Sequence, residues 1–409
     1  MASARIHEVI AKKINIGYNF NEILLRIGTV APDCWRNVLP EFGIKDRYLS
    51  HFWDFRIKNG QANDYEFFYL KYYNFLNNPF YFGYLLHLIV DQYWKTNIDS
   101  RYEKNENGVS YLKSIDGSYI KNENWLKHHE SVKMQKRIAK KYNLGLLPIN
   151  SNEIENFQCN IYELNLSGLF GENGTISYIN NNLSIADVID ESIVYDDESI
   201  ESAMEETTEY VKKELERLKK IKKEYDKKIK IAVDIDDTIL STKELEIIYW
   251  EKFLDNHPEI EITKEYKWGD PELELFWEEY REKMAFGKVK EDVTEAFKIL
   301  FEEGYILDLL SARPLEKYAS LKEKFSNYLE LNGIKYNHMH LGFYSKIEFL
   351  VEHDYDILID NELRHIESAN VLGLATILFG PYNKDYSGIQ TSRWSEIPNL
   401  IKQLKKESL

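Results

Sequence analysis

Three carboxylates, Asp234, Asp236 and Asp237, follow at once on the apolar run of IAVDIDDTIL. Like charges this close repel, and a carboxylate taken out of water tends to neutralise rather than stay ionised. The pattern asks for a cation, or for a proton to be shared. Asp360 ends a second apolar run, YDILID, and Ser311 ends a third, YILDLLS. Lys346 opens an amphipathic stretch between them. Two aspartates from separate strands can share one divalent cation. Mg²⁺ suits them, because it takes hard oxygen ligands and keeps waters that a phosphate can replace. Its charge would offset the carboxylate repulsion.

A second set of residues lies in the first third of the chain. Five of the ten histidines fall before residue 130: His7, His51, His87, His128 and His129. His87 and Asp91 stand at i and i+4 in GYLLHLIVDQYW, which on a helix puts both side chains on one face. Asp33 sits in APD, a tight loop, and His51 in the aromatic setting SHFW. Neutral imidazoles with carboxylates suit Zn²⁺ or another divalent transition ion. Spacing alone equally allows polar groups satisfied inside a helical core.

The elements that must carry these residues change in character along the chain. Residues 1–148 read as mostly helical and rich in aromatics, and 149–186 as loop or short strands. One strong helix is expected over 198–228, acidic first and basic last, in accord with the helix dipole. After residue 229 short apolar runs alternate with helical patterns near 290–303, 315–331, 345–352 and 362–372. That alternation predicts a parallel sheet flanked by helices, in which ligands bind beyond the carboxyl ends of the strands. Asp234, Asp236 and Thr238 fall at one such end, Ser311 and Asp360 at two others.

The 409 residues allow two to three domains, and the net charge of −16 argues against non-specific binding to nucleic acid or anionic lipid. Cys34 and Cys159 are the only cysteines, so no disulfide framework is expected. With no apolar stretch of signal-peptide or membrane-span length, the expectation is a reduced, cytoplasmic protein. Self-association into a homo-oligomer is left open.

Over residues 229–405 the motifs resemble the haloacid dehalogenase (HAD) superfamily of phosphohydrolases, an α/β Rossmann-like fold. The first motif, DxDxT, is Asp234-Ile235-Asp236-Asp237-Thr238; Ser311, Lys346 and Asp360 follow in order as the second, third and fourth. The resemblance implies that Asp234 attacks phosphorus and that Asp236 acts as acid and then base. It implies that Ser311 and Lys346 hold phosphoryl oxygens, and that Asp234, Asp360 and the backbone carbonyl of Asp236 bind Mg²⁺. Thr238 and Arg313 join the expected substrate site, although Arg313 reads equally as a surface loop residue. Lys335 is the alternative to Lys346. Asn361 and Glu362 follow Asp360 where many relatives carry a second acid, and Asn361 is open as a ligand. The stretch from Asp356 to Asn383, with RWSEI, is similar to the deoxyribonucleotidase subgroup, which implies a nucleotide substrate. A small helical cap is expected at about 241–290. Its Tyr249, Trp250, Trp268, Phe276 and Trp277 form either a wall for a nucleobase or the cap's own core.

In the N-terminal part, ARIHEVIAKKI, GTVAPDCW, SHFWDF and GYLLHLIVDQYW resemble, in that order, the zinc-dependent phospholipase C family. This implies an all-α domain over 1–225, with His7, Asp33, His51, His87 and Asp91 as ligands and Asp91 bridging two ions. It also implies phosphodiester cleavage. The family's late His-x-x-x-Glu pair is missing, with His128 and His129 as its candidate replacement. Two expectations result: a phosphomonoesterase for a small phosphate ester joined to a metal-dependent phosphodiesterase, the two acting in series, or the same phosphatase joined to a non-catalytic, metal-stabilised binding or oligomerisation module.

Overall fold

The computed structural model describes residues 3–37, 50–53, 63–123, 126–155, 157, 159–161, 164, 166–184, 192–261, 266, 270–313, 322–342 and 346–407. The chain divides into two compact units, 1–223 and 224–409. Among the described residues no helix is long and apolar enough to cross a membrane.

The first unit is built on helices α1 (Ala4–Asn15), α2 (Glu22–Val30), α3 (Tyr65–Lys71), α4 (Pro79–Tyr93), α5 (Leu126–Lys141), α6 (Thr175–Ser184) and α7 (Asp197–Tyr225). Asn78 caps α4 through its side chain, which accepts from the Phe80 amide, and Pro79 follows at the first turn, where no amide donor is needed. Helices α2 and α4 touch backbone to backbone. A Cβ on Gly28 would lie 2.1 Å from the Phe80 carbonyl oxygen, and one on Gly83 would lie 2.2 Å from that of Leu25. This approach sets the geometry of the histidines described below.

The expected all-α character is corrected by a three-stranded antiparallel sheet: β1 (Glu103–Glu106), β2 (Val109–Lys113) and β3 (Tyr119–Lys121). Asn107 and Gly108 both have positive φ between β1 and β2, the turn that a right-twisted hairpin requires. Helix α6 likewise replaces part of the loop expected over 149–186.

The second unit holds a six-stranded parallel sheet in the order β11-β10-β9-β4-β7-β8. Its strands are β4 (Lys230–Val233), β7 (Ile306–Ser311), β8 (Met339–Leu341), β9 (Ile357–Asp360), β10 (Ala375–Phe379) and β11 (Gln390–Thr391). The helices are α8 (Lys243–Asn256), α9 (Pro271–Met284), α10 (Val293–Glu302), α11 (Lys322–Leu331), α12 (Lys346–Glu352), α13 (Leu363–Val371) and α14 (Ile397–Glu407). Strand residues alternate between two cores. Ile231, Val233, Leu307, Leu309 and Ile359 face α10, α11 and α14, while Ala232, Leu310 and Leu358 face α12 and α13. Read in chain order from β4, the strands run outward on one side and then on the other. The order reverses between β4 and β9, the place where such sheets open a crevice at their carboxyl ends.

The cap consists of α8 and α9 around Phe253, Phe276, Tyr280 and Met284. It joins the sheet through a two-stranded ribbon, β5 (Leu240–Ser241) paired antiparallel with β6 (Lys288–Val289).

Candidate active site and a histidine–aspartate centre

Asp234 leaves the end of β4, and its amide donates to Ile359 on β9 at 2.9 Å, which ties the two strand ends together. Lys346, at the start of α12, is 2% exposed and places Nζ 2.5 Å from Asp234 Oδ1 and 2.7 Å from Asp360 Oδ2. Lys346 is therefore the lysine of the site, ahead of Lys335. Burial, with Asp360 and Asp236 close by, pushes the Asp234 carboxyl up to about 7, and the Lys346 ammonium works against that push. The same two carboxylates hold Lys346 above the usual lysine range against the pull of burial. Burial also works against ionised Asp360, yet Lys346 and His365 keep that carboxyl below its ordinary value.

Asp236 is forked by Arg313, with Nε 2.9 Å from Oδ2 and Nη2 2.7 Å from Oδ1. Burial opposes the charge on Asp236, but this bidentate pair overrides it and lowers the carboxyl. The Ser311 hydroxyl lies 3.5 Å from Asp236 Oδ2 and accepts from the Arg313 amide at 3.2 Å. Asp237 has a different task. At φ +56° it turns the chain, and its Oδ1 accepts from the amides of Thr242 and Lys243 at the head of α8.

These groups face a cavity of about 240 Å³. Asp234, Asp236, Ser311, Arg313 and Lys346 line its floor, Asn361 and Glu362 one side, and Trp277, Arg281, Met284 and Glu246 the cap side. Thr238, expected to touch substrate, is fully buried and absent from this lining. Its hydroxyl stands 2.9 Å from Asp234 Oδ2 and 3.2 Å from Asn361 Oδ1, and its carbonyl accepts from Trp394 Nε1, so it positions the loop. Asp360 also sits behind the cavity. Its Oδ1 accepts from the Glu362 amide, and its Oδ2 accepts from Lys346 and faces His365 Nδ1 at 3.0 Å. Of the cap aromatics, Tyr249, Trp250 and Phe276 pack in the cap's own core, Trp277 reaches the cavity, and Trp268 lies outside the described residues.

The charges of this site fit a divalent ion. Asp234, Asp236 and Asp360 are three carboxyl groups against the two cations Lys346 and Arg313, and Asp237 and Glu246 stand on the same cavity wall, so a bound cation would favour the ionised form of each. Asp234, Asp236 and Asn361 line the cavity and would offer hard oxygens to such an ion, while Asp360 is held behind them by Lys346.

In the first unit, His7, His87 and Asp91 form one group of potential metal ligands, and Asp33, His51 and His87 another, all of them buried. His87 Nδ1 donates to the Thr29 carbonyl at 2.7 Å, so its Nε2 carries the lone pair. The Ser50 hydroxyl donates to the Pro32 carbonyl at 2.7 Å and accepts from His51 Nδ1 at 3.2 Å, so His51 Nε2 carries a lone pair as well. These two Nε2 atoms face each other at 3.3 Å. Two lone pairs in that position repel unless a cation or proton lies between them. Burial, reinforced by His7, pushes His87 down to about 3.

Asp91 divides its oxygens. Oδ1 is 3.3 Å from His7 Nε2, while Oδ2 is 3.7 Å from His51 Nε2 and 3.8 Å from His87 Nε2. His51 Nε2 also lies 3.7 Å from Asp33 Oδ1. His7 is stacked on His87, and among the described residues its Nδ1 has no hydrogen-bond partner, while its Nε2 faces Asp91. This donor set fits one or two divalent transition ions. His128 is exposed on α5 near the Tyr178 hydroxyl, and neither it nor His129 joins these groups.

A third histidine–aspartate group escaped sequence reasoning. Asp308 on β7 lies beside His338 and His340, the latter on the neighbouring edge strand β8. The spacing HMH, which puts both rings on one face of a strand, was the available signal. The Asp308 carboxylate accepts from the His338 amide at 2.9 Å and the Tyr355 hydroxyl at 2.6 Å, and it lies 3.1 Å from His338 Nδ1. With these donors it acts as a buried anchor for β7, β8 and the approach to β9.

No family model and no curated protein sequence matches this chain. Solved structures do. A haloacid dehalogenase-like family hydrolase from Streptococcus pneumoniae aligns with TM-score 0.34 and 11% identity, over 42% of this chain and 98% of its own. A β-phosphoglucomutase from Clostridium difficile aligns with TM-score 0.34 and 13% identity, over 44% and 98%. Another haloacid dehalogenase-like family hydrolase, from Xanthomonas campestris, gives 0.32 and 13%, over 44% and 97%.

Proposed function

We propose that the second unit hydrolyses the phosphate monoester of a small molecule, with Asp234 as nucleophile. One observation carries this reading. A carboxylate at the switch point of a parallel sheet, held by a buried lysine, opens on a capped cavity that also presents Ser311 and the Asp236–Arg313 pair. An Asp234 oxygen would form a bond to phosphorus as the ester oxygen leaves; Asp236, once released from Arg313 and protonated from solvent, would give that oxygen its proton. Water, giving its proton to Asp236, would then attack the aspartyl phosphate and restore Asp234. Ser311 and Lys346 would hold the phosphoryl oxygens as charge builds on them. Mg²⁺, when bound, would supply positive charge to the same oxygens. Trp277 on the cap side favours a substrate with a planar part such as a nucleotide.

A phosphate-release screen over nucleotides and sugar phosphates tests the proposal, run with Mg²⁺ present and chelated. Wild type should release phosphate only with the ion. Asp234→Asn, which keeps the shape and removes the nucleophile, should release none. Activity surviving that change would overturn the assignment.

The facing Nε2 atoms of His51 and His87, together with the divided Asp91 carboxylate, favour a second reading for the first unit. In it, His7, Asp33, His51, His87 and Asp91 would hold Zn²⁺ or a similar divalent ion, which would supply Lewis-acid chemistry for phosphodiester cleavage. Its product would be a monoester that the second unit can use. The alternative is a centre that serves only to stabilise a binding module.

A further inference from the structure

The cations of the cavity are not equally engaged. Lys346 is held between Asp234 and Asp360, and Arg313 is forked on Asp236. Arg281, on the cap wall of the same cavity, has no carboxylate within ion-pair distance among the described residues. In a chain of net charge −16, an arginine that finds no acid is in an unusual position. Its contact is with Trp277, four residues earlier on α9, whose ring centre lies 6.0 Å from the guanidinium carbon. That spacing puts both side chains on one helix face, and an indole at that distance attracts the guanidinium without taking up its N–H donors, which leaves them for an acceptor. Glu246, the acid of the cap wall, has its carboxyl pushed up by burial and by Asp237, so it opposes an incoming anion less than a fully ionised group would.

Resting on the monoesterase reading, we infer that Arg281 binds a second anionic group of the substrate. The substrate class is then a small phosphate monoester that also carries a carboxylate or a second phosphate. The catalytic floor takes the phosphoryl group to be removed, and the cap takes the other charge. A cavity of about 240 Å³ suits a small molecule rather than a polymer end.

The test uses pairs of compounds differing mainly in the second anion: glycerol 3-phosphate against 3-phosphoglycerate, and adenosine 5′-monophosphate against adenosine 3′,5′-bisphosphate. Their kcat/KM values are measured on the full chain with Mg²⁺. Affinities for the same four are measured by calorimetry on Asp234→Asn, so that recognition is read even without turnover. Wild type should prefer the second-anion member of at least one pair, and the pair that responds says whether the group is a carboxylate or a phosphate. Arg281→Met should cut that preference by about tenfold to a hundredfold, as expected for a hydrogen bond to a charged group, and Arg281→Lys should keep part of it. Equal preference in wild type and Arg281→Met, in rates or in affinities, overturns the inference. Binding preference without any hydrolysis would uphold it while removing the monoesterase reading.

Discussion

Two buried carboxylates depend on Lys346, and replacing it with methionine tests the physics of the site directly. The two side chains are close in volume, so lost packing costs less than about 1.5 kcal/mol. The lost charge costs more. With Nζ at 2.5 and 2.7 Å from its two partners, and an effective dielectric near 20, each contact is on the order of 6 kcal/mol of Coulomb attraction. Much of that only offsets the desolvation of the three ions, and breaking a buried group of this kind by removing one member costs about 3–5 kcal/mol. The expectation for Lys346→Met is a loss of that size in the opening free energy around β9. Amide hydrogen exchange on the intact chain, followed on a peptide spanning Ile357–Asp360, reads it without assuming that both units unfold together. At about 1.4 kcal/mol per tenfold, exchange should quicken by roughly two to three and a half powers of ten. Adding Asp360→Asn leaves one stranded carboxylate instead of two, and should recover about half of the loss. A Lys346→Met rate within about threefold of wild type, or a double variant no slower than the single one, would refute this reasoning.

Two other perturbations separate support from chemistry. Ser50→Ala removes the group that orients His51, and should weaken Zn²⁺ binding about 10- to 100-fold, measured by competition with a chromophoric chelator, while His87→Ala should abolish it; unchanged affinity in both would show that the centre is not a metal site. Asp308, whose carboxyl is opposed by burial but held far below its ordinary value by His338 and His340, contributes stability that is present above the unfolded carboxylate value of about 4 and lost as pH falls through the lower folded value. Thermal midpoints below pH 4 should therefore fall less steeply for Asp308→Asn than for wild type, and parallel acid limbs would remove Asp308 from the account.

Much of the second unit was legible because its signals are local and ordered. Apolar runs closed by Asp234, Ser311 and Asp360 are strands whose ends must gather at one edge, and Lys346 follows the run that forms β8. What each side chain does there was not legible. Asp237 is spent on two backbone amides, Asp360 turns away behind Lys346, and Arg313 clamps an acid instead of waiting for substrate. Such choices follow from distances of a few tenths of an ångström, between segments 77 residues apart for Arg313 and Asp236 and 14 apart for Lys346 and Asp360, which no spacing rule contains. In the first unit the pair His87 and Asp91 was readable from helical period, but the orientation of the His87 ring depends on the Thr29 carbonyl, brought near by Gly28 and Gly83. The β1–β3 sheet is signalled only by Asn107-Gly108, a hairpin turn set within a sequence of aromatic, helical texture.

The ribbon of β5 and β6 has a mechanical consequence. Both chain crossings between cap and sheet run side by side and are hydrogen-bonded to each other, at a spot so tight that a methyl on Gly287 would meet the Ser241 carbonyl oxygen at 2.8 Å. A body tethered by two parallel cords at one edge can tilt far more easily than it can slide. Met284 lies next to that pivot, and Trp277 stands seven residues farther out, about 10 Å along α9. A tilt of about ten degrees would then carry Trp277 and Arg281 on the order of an ångström or two while leaving Met284 nearly still. The wall that reads the substrate is thus the part of the enclosure free to yield, and the floor beneath it keeps its shape.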